Sequence, residues 1–380
     1  MKKSYLPHGK ISAVFMRGGT SKAIMFHARD LPAERADWDA IFLAAMGSPD
    51  PSGRQLNGMG GGVTSVSKVC VIGPSSRPDA DVDYTFAQVM VKEARVSYAG
   101  NCGNMSAAVG PFAVDEGLIA VNGAGAEIRI HNTNTKKIIR STILVEDGKA
   151  AIDGDLAIPG VAGTGAPIRL DFLEPGGSAT GKLLPSGNPF DMLDVPGFGL
   201  IEVSMVDAAN PCVFVDAAGE GLTGVESPEA LERNLAALAR LHAIGAQASV
   251  AMGLSATFGE GLKNLPLIGI ISRAQDSTTL SGTSIPADAA ELCIRMLSSG
   301  QPHRALPGTG SVCTAVAARI PGTLPHRLAS AANGNAIRLA HPSGVIVVDS
   351  EVTENQGTLH AVRGSVYRTA RRLFDGFVYY

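Results

Sequence analysis

Cys102 stands in the turn Asn101-Cys102-Gly103-Asn104-Met105, which leads directly into the apolar run Ser106 to Val114. A small-residue turn before a helix aims unpaired backbone N–H groups and the positive end of the helix dipole at one point. A carboxylate or phosphate binds well there. A thiol in the same place has its thiolate stabilised and can exchange a proton with carbon. A second turn of the same build, Pro307-Gly308-Thr309-Gly310-Ser311, precedes Val312 to Ala318 and carries no cysteine. Three further stretches hold groups suited to an acid. Arg17-Gly18-Gly19-Thr20-Ser21-Lys22 offers backbone amides, two hydroxyls and an arginine able to hold a carboxylate in bidentate fashion. His303-Arg304, just before the second turn, offers another anion contact, whereas His341-Pro342-Ser343-Gly344 reads as a turn between strands. Lys68 enters the apolar run Val69-Cys70-Val71-Ile72 just after the glycines of 58–62. If buried, its amine would be favoured in the neutral, basic form. From the residues alone a surface lysine at the start of a strand is the better explanation.

These groups must be positioned by a strand-rich scaffold. Apolar or alternating segments of strand length occur at Ile11–Phe15, Val69–Ile72, Val82–Val91, Ile138–Val145, Leu200–Val206, Pro211–Val215, Leu267–Ile271 and Val345–Val348. Helices are predicted over Arg35–Ala45, Met105–Glu116, Pro228–Ala246, Pro286–Ser298 and Ser311–Ala318. Pro228 follows Ser227 as a first-turn proline follows its cap. Strands often follow one another, which predicts an α+β fold rather than a doubly wound one. The first glycine turn and its helix are followed by Glu127-Ile128-Arg129-Ile130-His131-Asn132. The second are followed by Ala336-Ile337-Arg338-Leu339-Ala340-His341. Turn, helix and Ile-Arg-aliphatic strand thus recur in order, which predicts two related halves. Their junction is expected in the Gly/Pro/Ser-rich stretch Leu173–Pro189, giving domains 1–185 and 186–380.

Composition narrows the function classes. The chain has 380 residues, a formal net charge of −3 and 45% hydrophobic residues, with no basic stripe to suit nucleic acid. The segment after Met1-Lys2-Lys3 is not an apolar leader, and no uncharged run approaches the length of a membrane span. The five scattered cysteines, Cys70, Cys102, Cys212, Cys293 and Cys313, do not form a disulfide framework, so a reducing cytoplasm is expected. No metal-ligand spacing occurs, and no metal is expected. The stretch Gly176-Gly177-Ser178-Ala179-Thr180-Gly181-Lys182-Leu183 is one residue from a P-loop. Leu183 stands where Ser or Thr would hold magnesium, so nucleotide binding is rejected.

The motifs around Arg17–Lys22, Ser67-Lys68, Gly100–Asn104, Pro307–Gly310, Ile320–Thr323 and His341–Gly344 together resemble the PrpF family, in order and over nearly the whole chain. That family includes isomerases of 2-methylaconitate, methylitaconate and oxalomesaconate. The resemblance implies the diaminopimelate-epimerase-like fold: two similar α+β domains, each wrapping strands around a central helix, with the active site in the cleft between them. It implies cofactor-independent proton transfer by Lys68 and Cys102, which reverses the bland reading of Lys68. The expected substrate contacts are Arg17, Gly19, Thr20, Ser21, Ser67, Gly103, Asn104, Met105, His303, Gly308, Thr309, Gly310 and Ser311. The wider superfamily includes epimerases with Cys-Gly-Asn-Gly in one half and Cys-Gly-Thr-Gly in the other. Here Met105 replaces the last glycine of the first motif and Pro307 the cysteine of the second. Proline carries no proton, so a two-thiol racemase is not expected. The function expected is allylic double-bond or cis-trans isomerisation of a small unsaturated di- or tricarboxylate. The alternatives are a keto–enol tautomerase or epimerase on a related acid, or a non-catalytic aconitase-accessory protein binding an aconitate-like ligand. A homodimer and a functional link to an aconitase-like enzyme are compatible with this reading.

Overall fold

The structure, a computed structural model, describes residues 9–330 and 336–380. The start of the chain, on which the absence of a leader was read, lies outside the described residues. Two compact units form. One comprises Met1–Leu156, Gly163–Leu170 and Arg368–Tyr380, and the other Ala157–Ala162 and Asp171–Tyr367.

In the first unit, β1 (Lys10–Gly18) and β2 (Ser21–His27) form a hairpin, and β2 runs parallel to β3 (Lys68–Pro74). β3 pairs antiparallel with β4 (Val82–Val89), which runs parallel to β5 (Gly125–Asn132). β5 pairs antiparallel with β6 (Ile138–Glu146). The C-terminal strand Ala370–Tyr379 returns to pair antiparallel with β1. Helix α1 (Trp38–Met46) lies between β2 and β3 in the chain. It buries Ile41, Phe42, Ala45 and Met46 against Ile24, Phe26, Val69, Val71, Ala87 and Val89. Helix α2 (Gly103–Asp115) is buried from Gly103 to Val114, so it presents no polar face and must be enclosed on all sides.

The second unit repeats this ladder. β7 (Asp191–Val195) pairs antiparallel with β8 (Gly199–Ala208), and β8 with β9 (Asn210–Asp216). β9 is parallel to β10 (Leu267–Arg273), which pairs antiparallel with β11 (Leu292–Ser298). β11 is parallel to β12 (Ala336–His341), and β12 antiparallel to β13 (Gly344–Asn355). The sequence of antiparallel and parallel neighbours is that of the C-terminal strand with β1 to β6. Between β9 and β10 lie α3 (Pro228–Arg233) and α4 (Leu235–Ala251). α4 packs Leu241, Ile244 and Ala248 on Val213, Val215, Ile268, Ile270 and Leu297, as α1 packs on its own sheet. Helix α5 (Gly308–Ala317) is buried along its whole length, as α2 nearly is. The repeat expected from the two glycine turns therefore extends through every major element.

Two expectations need correction. Pro286–Ser298 is not a helix: a 3-10 turn at Ala287–Ala289 is followed by β11. Leu292 to Leu297 is buried on both sides of the strand, so the alternation that marks a half-exposed strand is missing. The predicted helix Pro228–Ala246 is two helices. Asn234 leaves helical geometry (φ −85°, ψ 75°), and its Oδ1 accepts from Ala237 N at 3.1 Å as the cap of α4. Ser227 caps α3 by accepting from Ala230 N, with Pro228 in the first turn as expected. Asn234→Ala should cost about 1 kcal/mol and Asn234→Ser far less. Thermal unfolding of the two variants checks this, and equal midpoints would refute the capping role.

Candidate active site

Lys68 opens β3, and its ammonium donates to Gln88 Oε1, directly opposite on β4, at 2.5 Å. It is 6% exposed. Its Nζ also lies 5.0 Å from the centre of the Phe86 ring. Alternation along the ladder puts Lys68, Cys70, Tyr84, Phe86 and Gln88 on one face of the sheet, opposite the core under α1. On this face Cys70 Sγ meets the Tyr84 hydroxyl at 3.9 Å. Burial pushes the Cys70 thiol up. A thiolate at Cys102 would push it the same way, while the Tyr84 hydroxyl and a charged Lys68 pull it down. Burial likewise holds the Tyr84 phenol well above its ordinary value. Both therefore stay protonated near neutrality. Cys70 is close enough to Lys68 and to Cys102 to feel both charges, so the three belong to one electrostatic neighbourhood.

Cys102 is the residue before α2, in extended geometry (φ −107°, ψ 96°) and 9% exposed. Its carbonyl accepts from Ser106 N at 2.9 Å and Ser106 Oγ at 3.1 Å. The end of β5 pins the turn. Asn132 Nδ2 donates to Asn101 Oδ1 at 2.9 Å, and Asn134 Nδ2 donates to Gly100 O at 2.9 Å. This gives the Ile-Arg-aliphatic strand after the helix a purpose, because its last residue, Asn132, and Asn134 in the turn that follows hold the cysteine turn. No side chain caps α2 or α5, whereas Ser227 and Asn234 cap α3 and α4. The first-turn amides of Gly103, Asn104 and Met105, and those of Gly308, Thr309 and Gly310, have no cap acceptor of their own. They are suited to an anion.

The tandem glycine of 17–22 has a steric reason. A Cβ on Gly18 would lie 2.6 Å from Asn104 O and 3.0 Å from Met105 Cα. Gly19 has φ +52°, and a Cβ there would lie 2.6 Å from Asn104 Oδ1. The β1–β2 turn therefore rests directly on the start of α2. Asn104 Nδ2 donates to Thr20 Oγ1 at 3.0 Å, and Arg368 Nε donates to Asn104 Oδ1 at 3.1 Å. Arg368 is 4% exposed, and burial brings its guanidinium down to about 10. Arg17 donates through Nη1 to Gly19 O at 3.0 Å and Thr369 O at 2.9 Å, tying the turn to the chain before the C-terminal strand. Burial and the neighbouring Arg371 charge lower it. Ser21 is buried at the start of β2.

Ser67 Oγ is buried, donates to Val89 O at 2.9 Å and takes a hydrogen bond from Gln55 Nε2 at 2.7 Å. Met105 is fully buried in α2. Ser311 Oγ donates to Gly308 O at 2.7 Å inside α5. Thr309 is buried, and a Cβ on Gly310 would lie 2.3 Å from Met296 Sδ. His303 Nδ1 accepts from Ala305 N at 3.1 Å. Arg304 is engaged by Glu229 and Glu232. The P-loop-like stretch wraps around the protein's own carboxylate. Asp207 accepts from Ala179 N, Thr180 N, Thr180 Oγ1 and Ser178 Oγ at 2.5–2.9 Å, so these donors are already occupied. Among the described residues no group of three His, Cys, Asp or Glu is placed to hold a metal, and no helix is long and apolar enough to cross a membrane.

The sequence did not single out Gln88, Tyr84, Asn134 or Arg368. Of these only Gln88 left a signal, as a polar residue in the otherwise apolar end of β4.

The internal repeat supplies a comparison within the chain. The pairs Val69–Ala87 and Ile268–Leu297 occupy matching core positions. Leu267 of β10 therefore corresponds to Lys68, and Ser298 to Gln88. Pro307 corresponds to Cys102. The second unit keeps the scaffold and replaces each of these groups by one unable to transfer a proton at that place, or too short to reach.

Comparison with known proteins agrees with this architecture. The profile of the PrpF protein family matches residues 8–380. A 3-methylitaconate isomerase of Eubacterium barkeri is 43% identical over 375 residues, covering 97% of each chain. A 2-methyl-aconitate isomerase of Cupriavidus necator is 37% identical, covering 99% of this chain and 98% of its own. The crystal structure of a methylitaconate-delta-isomerase superposes with a TM-score of 0.78 at 42% identity, covering 98% of this chain and 96% of that one. A hydroxyproline epimerase of Agrobacterium vitis shares only 11% identity but superposes with a TM-score of 0.55 over 97% of this chain and 92% of its own. The fold is therefore of the diaminopimelate-epimerase-like class.

Proposed function

This chain belongs to the PrpF family and is an isomerase, and from that premise we propose that it moves a proton along an unsaturated di- or tricarboxylate of the methylitaconate or methylaconitate type. The observation that carries this reading is that Cys70 lies near both Lys68, buried with no ion-pair partner among the described residues, and Cys102 at the uncapped start of α2. Shifting a C=C bond needs one C–H bond broken and another formed at the other end of the three-carbon allylic system. The hydrogen is acidic only if the electron pair spreads into a carboxylate. Lys68 Nζ in its neutral form takes the proton, and the electron pair becomes a dienolate. The first-turn amides of Gly103, Asn104 and Met105, with the Thr20 hydroxyl, stabilise the developing negative charge. Cys102 S–H then gives a proton to the far carbon and is left as thiolate. Proton return from the Lys68 ammonium to the thiolate, directly or through water, restores the starting state. A substrate of the opposite geometry exchanges the two roles. Tyr84 and Cys70, both held protonated, line the sheet beneath the pair and add no competing negative charge. No step calls for a cofactor.

The test is proton NMR of the purified protein alone in deuterated buffer, with methylitaconate, 2-methylaconitate, oxalomesaconate and trans-aconitate in turn. We expect new olefinic signals and deuterium at both ends of the allylic system for at least one acid. Absence of both turnover and exchange with the whole set would overturn the reading and favour an accessory role.

A further inference from the structure

We propose that Gln88 is a positioning residue for the proton-transfer reaction, holding the Lys68 amine in place through a neutral acceptor so that the lysine remains free to change charge. The proposal rests on the reading of Lys68 as a proton-transfer group. The orientation of the Gln88 amide is set by its surroundings. Its Nε2 donates to Ser67 O at 2.9 Å and Thr64 O at 3.1 Å, which commits both amide hydrogens to backbone carbonyls. Only Oε1 is left, and it faces Lys68 Nζ at 2.5 Å. Flipping the amide would set N–H against N–H⁺ and oxygen against two carbonyls, so one orientation alone satisfies the network. Gln88 is itself 6% exposed and its place on β4 is fixed by the ladder, so the contact is held rigidly.

The chemical type of this partner matters. A carboxylate at the same place would attract the ammonium and hold it charged, as opposite charges within a few ångströms do. An apolar residue would leave the amine without an acceptor and free to change rotamer. The amide oxygen does neither. Phe86 on β4 and Cys70 on its own strand lie near the lysine, and Cys70 in turn lies near Tyr84 and Cys102. No Asp or Glu forms an ion pair with it among the described residues. The second unit supports the assignment independently. Where the lysine position holds Leu267, the facing position holds Ser298, too short to span the gap. The long amide occurs where the lysine occurs.

The experiment is the pH profile of kcat/KM, for the acid of that set that is turned over fastest, in wild type, Gln88→Met and Gln88→Glu, with thermal melting of each variant. Both substitutions lose the bonds to Thr64 and Ser67, so any loss of stability is common to them. The contact with Lys68 separates them. In Gln88→Glu the limb belonging to Lys68 should move to higher pH by about 1–3 units. In Gln88→Met, where the charged amine loses an acceptor, it should move to lower pH, with kcat falling more than KM changes. If Gln88→Met does not fold, Gln88→Asn, which keeps the amide but cannot reach Nζ, should give the same downward movement. A limb that stays in place in these variants, or moves in the same direction in both, would show that Gln88 only braces the loop and would overturn the inference. Lys68→Met distinguishes that failure from failure of the reading beneath it. If the limb persists in Lys68→Met, it never belonged to the lysine and both proposals fall. If it disappears there but does not respond to Gln88, only the present inference falls.

Discussion

Lys68→Met and Cys102→Ala will each lower turnover by about 10²–10⁴-fold, the usual contribution of one positioned acid or base. Both will also abolish solvent-deuterium incorporation while leaving the fold intact. This corresponds to about 3–5 kcal/mol of transition-state stabilisation from each group. The loss is chemical because each side chain is small in its structural debt. Lys68 makes one side-chain hydrogen bond, to Gln88, and methionine fills nearly the same volume. Cys102 holds its turn through its backbone carbonyl, which alanine keeps. The second unit shows that this scaffold tolerates such residues, since Leu267 and Pro307 occupy the matching places. Exchange is the more telling readout, because it reports the first C–H cleavage even when the product does not form. Full exchange in both variants would falsify the assignment of the pair.

Gly18→Ala should damage stability and activity together, at a cost of about 1–3 kcal/mol for forcing a methyl into packed structure. The added carbon would lie 2.6 Å from Asn104 O and 3.0 Å from Met105 Cα, both backbone atoms of the first turn of α2. Neither can rotate away as a side chain would. Relief requires β1 to lift from the helix or the helix start to move, and either disturbs the Asn104–Thr20 contact at 3.0 Å and the amides beside Cys102. A lowered melting midpoint with a raised KM is the expected result. Gly117→Ala is the control for a generic glycine effect: Gly117 has φ +69° with open space around its Cβ position, so it carries backbone strain alone and lies outside the site. Wild-type stability and KM in Gly18→Ala would show that the strand does not rest on the helix as closely as described.

Much of the scaffold was legible from residue pattern. The glycine turns marked the starts of α2 and α5, and each apolar run expected to be a strand coincides with one, with Val82–Val91 overrunning β4 by two residues. Legibility failed where burial erased the periodic signal. β11 is buried on both sides and lacks the alternation of a half-exposed strand, so Pro286–Ser298 reads as a helix from its sequence. The break at Asn234 was hidden because helical propensity continues across it, and only the cap geometry shows it. At the site, Cys102 was visible because its neighbours form a recognisable turn. Lys68 was ambiguous because one lysine at a strand start looks the same whether it faces solvent or lies 6% exposed against an amide.

The sequence by itself determined the inventory: one cysteine turn, one matching turn with proline in its place, one lysine at the head of an apolar strand, and the repeat that relates the halves. These are local properties, written in turn chemistry and hydrophobic pattern, and they need no knowledge of distant contacts. The tertiary structure alone decided which partners those groups meet. Gln88 is twenty residues from Lys68 in the chain, and Arg368 is far from the Asn104 it contacts. The C-terminal strand returns to β1 across nearly the whole chain. Such pairings depend on strand register and on which face a side chain occupies, and a shift of one residue would reverse the face. That is why the chemistry of the lysine could be suspected from its type, while its neutral partner and its fixed position emerged only from the folded sheet.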